Sequence, residues 1–513
     1  MFLILVIILL TAAYFYSVRN HDYWKKRNIK YETPLPLLGN CARSLFRLQS
    51  LIDLSNNFYN KYTDEKVIGS YRGTTPELIV RDLDLIKKIL TVDFPYFYNR
   101  GMSRNVQLEP LFGNLFHAEG DRWKLLRQRL TPAFTTAKLR AMFPLVVRCA
   151  ERLQDVVTEL ASRGATYDAR ELMARFTTEF IGACGFGIEM DTINNERSRF
   201  RELGIKIFKG SLRGRILLPI WELFPEVRKF LKVETDDVKN VIMAITKQIR
   251  QQRNYQPIGR HDFVDLLLEL ENKGTIVGES IEKVDKDGKP ELVELEMDLK
   301  CQAAQMFVFF VAGFETSSVA TSFTLHILAF NPETQRRVQD EIDTVLKKFN
   351  NILCYDAIAN MNLLDMAFQE SMRMLSPVGV LNRVCVREYK IPELGITLDP
   401  GVKILIPVHA IHMDKKYYDN PEEFRPERFT PEAKKMRHKF SYLPFGEGPR
   451  SCVGERLGHM LSLAGLAAFL HRFTVEPAAS SRRNLKLNPW SHTSQSVAGG
   501  LPLNFKLRTH TSS

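Results

Sequence analysis

The chain has no CxxC pair, and its seven cysteines (41, 149, 184, 301, 354, 385 and 452) are odd in number and scattered over 513 residues. This excludes a disulfide framework and points to a reducing compartment. No GxGxxG-plus-acid unit and no flavin-domain extension are present, so electrons for any redox chemistry must come from a separate protein. Zinc-finger spacing, a basic helix and an RNP-like aromatic motif are missing too, so the net charge of +12 has no nucleic-acid module to serve. The surplus suits an anionic membrane face or an acidic protein partner. Internal repeats, low-complexity segments and tandem apolar spans are absent, and 45% hydrophobic content predicts one catalytic body with a large core.

One apolar run does stand out. From Phe2 to Tyr16, tyrosine hydroxyls aside, Thr11 is the only polar side chain. A secretory signal would begin with basic residues; here Arg19, Lys25, Lys26, Arg27 and Lys30 follow the run instead. The pattern predicts an uncleaved transmembrane anchor over 1–18 with the catalytic body facing the cytosol. Thr33–Asn40 carries two prolines and a glycine, which predicts a stiff hinge, so the expected organisation is anchor 1–18, basic and proline-rich hinge 19–40, and catalytic domain 41–513.

Helical periodicity without internal proline covers 145–161, 169–188, 235–254, 262–271, 298–330, 332–349 and 369–375. Clusters of β-formers at 67–71, 78–80, 384–386 and 402–407 predict a few strands, the first two as a hairpin around Arg72-Gly73. The fold class expected is mainly α with a minor β-sheet region. The charged stretch between 272 and 299 reads as an exposed or disordered loop.

The decapeptide Phe445-Gly-Glu-Gly-Pro-Arg-Ser-Cys452-Val-Gly454 combines three glycines, a proline, an arginine and one cysteine just before an apolar helix over 457–469. A cysteine entering a helix meets backbone N–H groups and the positive end of the dipole, which favours a thiolate and suits metal ligation. Glycines 446, 448 and 454 allow close approach to a flat ligand, and Arg450 can pair with an anionic group at its edge. For an isolated cysteine a buried thiol in a tight turn is the simpler reading. His409, His412, His438 and His459 form no recognisable ligand set.

A second unusual place is Ala312-Gly313-Phe314-Glu315-Thr316 within the apolar run 302–318. A glycine costs about 1 kcal/mol relative to alanine in a helix interior, so something must offset it. Thr316 lies four residues after Ala312, so its hydroxyl can bond the Ala312 carbonyl and open a groove in the helix. A packed core helix with an exposed Glu-Thr edge is the plainer alternative. Glu370 and Arg373 stand three apart on one helix face, a weak signal alone. Trp123 and Arg127 stand four apart, presenting an indole N–H and a guanidinium on one side.

Together these residues resemble the cytochrome P450 family. The cysteine loop matches its heme-binding signature at Phe445, Gly446, Gly448, Arg450, Cys452 and Gly454; Ala312–Thr316 is similar to its oxygen-activation motif; and Glu370, Arg373 and the stretch Pro426-Glu-Arg428-Phe429 are similar to its stabilising triad. Leu130–Phe134, Ala312–Ser318 and Phe445–Arg450 look most like microsomal P450s of the insect detoxification type.

The resemblance implies the P450 fold and heme b, with Cys452 as axial ligand, Trp123, Arg127, Arg383 and Arg450 (and Arg100 as a weaker fifth) at the propionates, and Thr316 with Glu315 in proton delivery. It implies a triad of Glu370, Arg373 and Arg428. It further implies monooxygenation of a lipophilic small molecule at the endoplasmic reticulum (microsome) membrane, with electrons from NADPH–cytochrome P450 reductase, cytochrome b5 as a possible second donor, and no nucleic acid. Lys124, Arg129, Lys434, Lys435, Arg437, Lys439 and Arg456 are the candidate donor-facing cations. The expected pocket walls are 107–116, 200–224, Phe309 with Phe310, 378–381 and 496–497. A heme-thiolate isomerase or dehydratase, and a non-catalytic membrane-tethered ligand binder, are the alternatives.

Overall fold

The computed structural model describes residues 2–509 apart from 189, 196–197, 210–211, 225, 228–229, 261 and 491–493. Helices form most of it, with eleven short strands at the margins, as expected for a mainly α chain.

The core is organised on the central helix Leu299–Ala329. Asp298 starts it by accepting the Cys301 N–H at 2.7 Å, and Asn331-Pro332 stops it, since proline cannot continue the ladder. It is long and apolar enough to cross a bilayer, yet 67% of its most apolar window is buried in protein, so it serves as a core helix. Packed on it are Ala169–Ile181, Asp236–Gln252, Asn362–Met374 and Glu455–Arg472, with Thr136–Ser162 against the first and last of these. Gly313 is explained here: a Cβ would sit 2.3 Å from Ile181 Cδ1, so the missing side chain lets Ala169–Ile181 close onto the central helix. The packing gained offsets the propensity lost.

Strands β1 (Val67–Arg72) and β2 (Thr75–Val80) form the expected hairpin, with Gly73 supplying the positive φ of its turn. The other strands are β3 (Thr166–Asp168), β4 (Ile276–Val284), β5 (Pro290–Leu295), β6 (Leu381–Val384), β7 (Tyr389–Ile391), β8 (Ile396–Leu398), β9 (Lys403–Ile406), β10 (Phe473–Pro477) and β11 (Pro502–Leu507). The main sheet has the order β1-β2-β9-β6, with β2 and β9 parallel and the outer pairs antiparallel. Its β6 edge places Arg383 against the interior, and the bridge Asn99↔Val384 brings Arg100 beside it.

Two local readings change. The stretch 272–299 is not a loop: β4 and β5 form a hairpin docked on Gly120–Leu130. Its turn, Asp285-Lys-Asp-Gly288, is closed by Asp285 Oδ1 accepting from the Asp287 and Lys289 N–H groups at 2.9 Å each, with Gly288 at positive φ. Charged residues on its outer face hide the alternation that marks a strand. The segment 19–40 is packed onto the main sheet: Trp24 is fully buried and donates to the Ser70 carbonyl at 2.9 Å. A Cβ at Gly69 would strike the Trp24 ring, so that glycine exists for this contact. Helix Phe2–Val18, by contrast, exposes Phe2, Leu3, Ile4 and Phe15.

At the interior's edge Glu109 and Glu234 are buried together, and both Glu234 carboxylate oxygens have no hydrogen-bond partner. Burial, then the neighbouring Glu109, push the Glu234 carboxyl from 4.5 up to about 7, against the pull of Lys232, Lys239 and Arg104. The folded state therefore holds the proton more tightly than the unfolded chain. Stability falls as pH rises from about 4.5 to about 7, and the penalty is complete above that. Glu234→Gln is expected to flatten this slope and raise stability at pH 8 by about 1–2 kcal/mol, allowing for solvent screening. Urea unfolding at pH 5 and pH 8 checks it; equal slopes in both proteins would rule it out.

Candidate active site

A cavity of about 370 Å³ lies between the central helix, the Gly120–Leu130 helix, β6 and the cysteine loop. Its walls include Leu115, Phe116, Phe309, Val378 and Leu381, as expected, and they are predominantly apolar. Among the described residues, none of 200–224 or 496–497 reaches it, and Ser494 takes the place expected for the latter. Phe310 is buried in the core behind the wall.

Cys452 opens into this cavity, and the other six cysteines do not line it. Its loop is held by the Cys452 N–H donating to the Phe445 carbonyl at 2.9 Å. Gly448 is required there: it has φ +77°, and a Cβ would lie 1.8 Å from the Leu90 carbonyl oxygen. Gly446 also adopts the left-handed backbone, at φ +71°, whereas Gly454 does not. Cys452 is exposed to the cavity, yet desolvation by the protein around it pushes its thiol up, and Glu455 adds to this, against a Gly454 hydrogen bond and the nearby Arg127 and Arg100 guanidiniums. The helix-entry argument for a depressed thiol is thus outweighed by desolvation. A thiolate here needs a cation at the sulfur, and iron supplies one.

Four guanidiniums converge on the same cavity. Arg450 donates to the Tyr98 and Ala118 carbonyls at 2.8 Å each, lies 4.1 Å from the Trp123 ring centre, and leaves Nη1 without a partner. Arg383 donates to the Asn382 carbonyl at 2.8 Å and leaves Nε unpartnered. Arg100 donates to the Phe116 and Arg450 carbonyls, and Arg127 to that of Ser451.

Burial, with repulsion from Arg100 and Arg383, brings Arg450 down to about 8. Burial and Arg100 bring Arg383 to about 9, and burial above all brings Arg100 to about 10. None of the four forms an ion pair with a carboxylate among the described residues. The nearby Glu119 instead accepts the Gly101 and Met102 N–H groups at 2.6 and 3.1 Å. Two buried guanidiniums with orphaned donors, and two half-buried ones beside them, facing an apolar chamber call for an anionic ligand. A porphyrin with two propionates and a metal at Cys452 fits both the charge and the thiol.

On the opposite wall Thr316 Oγ1 donates to the Ala312 carbonyl at 2.6 Å, as its spacing predicts. Glu315 is buried, ion-paired with Arg170 and accepting from Ser494 Oγ at 3.1 Å. Thr177 Oγ1 donates to the Phe314 carbonyl at 3.0 Å, a further perturbation of the helix ladder at this point.

Sequence reasoning missed several cavity residues. Gln305 spans from the central helix to the loop before Gly120, accepting the Leu115 N–H at 2.9 Å. His117 lines the cavity with Nδ1 3.2 Å from Asn114 Oδ1, and burial holds it well below the usual histidine range. A polar Gln305 in an otherwise apolar helical run was the one available signal. The four histidines weighed as ligands all lie off the cavity; burial lowers His409 to about 4 and holds His412 well below the usual histidine range.

Behind the cysteine loop, Glu370 and Arg373 are fully buried and bidentate at 2.7 and 2.8 Å, and Arg428 Nε joins Glu370 at 3.2 Å. On the outer side Lys434, Lys435, Lys439 and Arg456 are exposed. Arg437 is half-buried over the Phe429 ring, Lys124 lies 4.0 Å from Glu279, and Arg129 is engaged by the Val277 carbonyl.

Known proteins are similar to this chain over nearly its whole length. A family model described as Cytochrome P450 matches residues 29–500. The chain is 37% identical over 505 residues to "Cytochrome P450 6a2" of Drosophila melanogaster, covering 97% of each chain. It is 36% identical over 505 residues to "Cytochrome P450 6B2" of Helicoverpa armigera, covering 98% of each. To "Cytochrome P450 6k1" of Blattella germanica it is 34% identical over 511 residues, with 98% of this chain and 96% of the relative covered. With the thiol, the uncompensated guanidiniums and these relatives in agreement, the chain belongs to the cytochrome P450 family, as a heme b monooxygenase of the insect type.

Proposed function

We propose that the protein is a membrane-anchored, cytosol-facing monooxygenase of lipophilic small molecules that draws electrons from NADPH–cytochrome P450 reductase. The observation that carries the site assignment is the cluster of four guanidiniums without carboxylate partners, Arg383 and Arg450 buried and Arg100 and Arg127 half-buried, beside the single cavity cysteine. Cys452 is the ligand to iron; Arg100, Arg127, Arg383 and Arg450 take the propionates, with Trp123 holding Arg450 in place by its ring face and Phe445 shaping the loop. Bound there, heme b supplies dioxygen activation, and thiolate ligation favours O–O cleavage.

The chain's own contribution is positioning and proton supply. Thr316 commits its proton to the Ala312 carbonyl, so its remaining lone pairs face the cavity and can order a water there. Glu315, fixed between Arg170 and Ser494, holds that turn of the helix in register. Apolar walls such as Phe309, Val378 and Leu381 favour a lipophilic substrate by the area they remove from water. The exposed apolar helix Phe2–Val18, followed by basic residues, supports 1–18 as the anchor at the endoplasmic reticulum membrane and 41–513 as the catalytic body.

Turnover of a lipophilic substrate panel with NADPH and reductase tests this reading. Thr316→Ala is expected to lower product per NADPH by about 10–100-fold, with Thr316→Ser restoring much of it and the reduced CO spectrum unchanged in both. Undiminished product in the alanine variant would remove Thr316 from proton supply, and no turnover of any panel member by the wild type would remove the monooxygenase reading of the pocket.

A further inference from the structure

The β4–β5 hairpin lies on the helix that borders the cysteine loop. Asp121 accepts from Ser280 Oγ at 2.8 Å and from the Ile281 N–H at 2.6 Å; Arg129 donates to the Val277 carbonyl at 3.1 Å; Arg387 donates to that of Ile281 at 3.1 Å. Gly278 is packed on Leu125, where a Cβ would come within 2.7 Å of Cδ2. Ile276 and Ser280 are buried, so the hairpin is fixed and not draped.

Its charge is opposite to that of the chain as a whole. Glu279, Glu282, Asp285, Asp287, Glu291, Glu294 and Glu296 outnumber Lys283, Lys286 and Lys289, in a chain of net charge +12. Glu279, Glu291, Glu294 and Glu296 are exposed.

The surface beside it is the short way to the sulfur. Arg127 of the same helix donates to the Ser451 carbonyl, Lys439 pairs with Glu447 of the cysteine loop at 3.1 Å, and Arg456 follows Cys452 closely in sequence. Of the cations there, Lys124 lies 4.0 Å from Glu279 and Arg129 is engaged by the Val277 carbonyl while staying exposed, as do Lys434, Lys435 and Arg456.

We propose that the β4–β5 hairpin is an acidic shield on the electron-donor face, which sets its carboxylates beside Lys124 and Arg129, lowers the positive field of the docking surface and weakens the approach of an acidic flavoprotein donor. The proposal rests on the reductase reading above. Like charges across an encounter surface slow association, and unlike charges speed it, in a salt-dependent way. The shield therefore tunes donor affinity without touching the cavity.

The test uses the full-length holoprotein with NADPH–cytochrome P450 reductase in phospholipid vesicles, following reduction under CO by stopped flow. Neutralising the shield in Glu279→Gln/Glu291→Gln/Glu294→Gln/Glu296→Gln is expected to lower the half-saturating reductase concentration at least about threefold at about 20 mM salt, with the difference gone at about 300 mM. Glu291→Lys/Glu294→Lys extends the gain in the same direction. Peroxide-driven turnover, which needs no donor, stays at the wild-type level. Lys434→Gln/Lys435→Gln raises the half-saturating concentration. If the glutamate variants match wild type while the lysine variant weakens, the shield is overturned and the donor reading stands. If neither set changes the donor dependence, both are overturned.

Discussion

Cys452→Ala is expected to abolish the thiolate-type absorption of the reduced CO adduct and all reductase-dependent turnover. The argument is geometric: of the seven cysteines only Cys452 lines the cavity, and its loop is fixed by the hydrogen bond to Phe445 and by the close approach of Gly448 to Leu90. No other thiol can substitute without rebuilding the core. His117 is the one histidine among the described residues that lines the cavity, and its Nδ1 faces Asn114. If heme is retained in Cys452→Ala, the guanidinium cluster is what holds it, and the spectrum is of nitrogen or water ligation. The Cys452→His variant sharpens the test, because it keeps a ligand on the same loop while replacing sulfur by nitrogen; it should bind heme and lose the thiolate band. A thiolate-type CO spectrum in either variant would sink the assignment of Cys452. Removing one propionate partner has a smaller effect, since three guanidiniums remain.

How much of this was legible in the sequence depended on distance along the chain. The Thr316–Ala312 bond and the Glu370–Arg373 pair were readable because helix geometry alone brings residues three or four apart together. The cysteine loop was readable because its glycines and proline are dictated by backbone conformation. Glu315's partners were not: Arg170 and Ser494 lie 145 and 179 residues away in sequence, and no local pattern announces them. Gln305 meets Leu115 across 190 residues for the same reason. The desolvation at the cysteine was not legible, because helix-entry effects are local whereas the protein packed around the cavity is a property of the whole fold. The β4–β5 hairpin was missed because a strand that covers a helix on one side and faces water on the other can carry almost any charge outward.

The second large effect lies behind the cysteine loop, in Arg373→Ala. Arg373 is fully buried and makes two bonds to Glu370, then donates to the His412 and Pro421 carbonyls at 2.8 and 2.7 Å. Truncation would leave a buried carboxylate with Arg428 as its remaining guanidinium partner, and two carbonyls without their donor. A loss of about 3–5 kcal/mol is expected, enough to unfold much of a protein of ordinary stability. Lysine cannot rescue it, because a point charge lacks the planar fork that reaches both the carboxylate and the carbonyls.

Arg428→Ala should cost less: its other partners are the Asp419 carboxylate, on a side chain 72% exposed, and the Asp419 and Asn420 carbonyls, and water can take over part of that role. The damage should also reach the heme. His412, whose carbonyl Arg373 holds, accepts the Leu443 N–H on Nε2 at 2.8 Å, and Leu443 leads directly into Phe445 and the loop of Cys452. Burial lowers His412 well below the usual histidine range, so it remains neutral and able to accept that bond.

Replacing the pair by apolar residues, which often restores stability at a buried ion pair, should fail here. Glu370→Met/Arg373→Leu removes both charges but still strands the carbonyls of the segment that carries the loop. Urea unfolding and the yield of CO-competent holoprotein together check this. Wild-type values for Arg373→Ala, or full recovery in the apolar double variant, would show that the strap from helix Asn362–Met374 to the cysteine loop does not hold the site together.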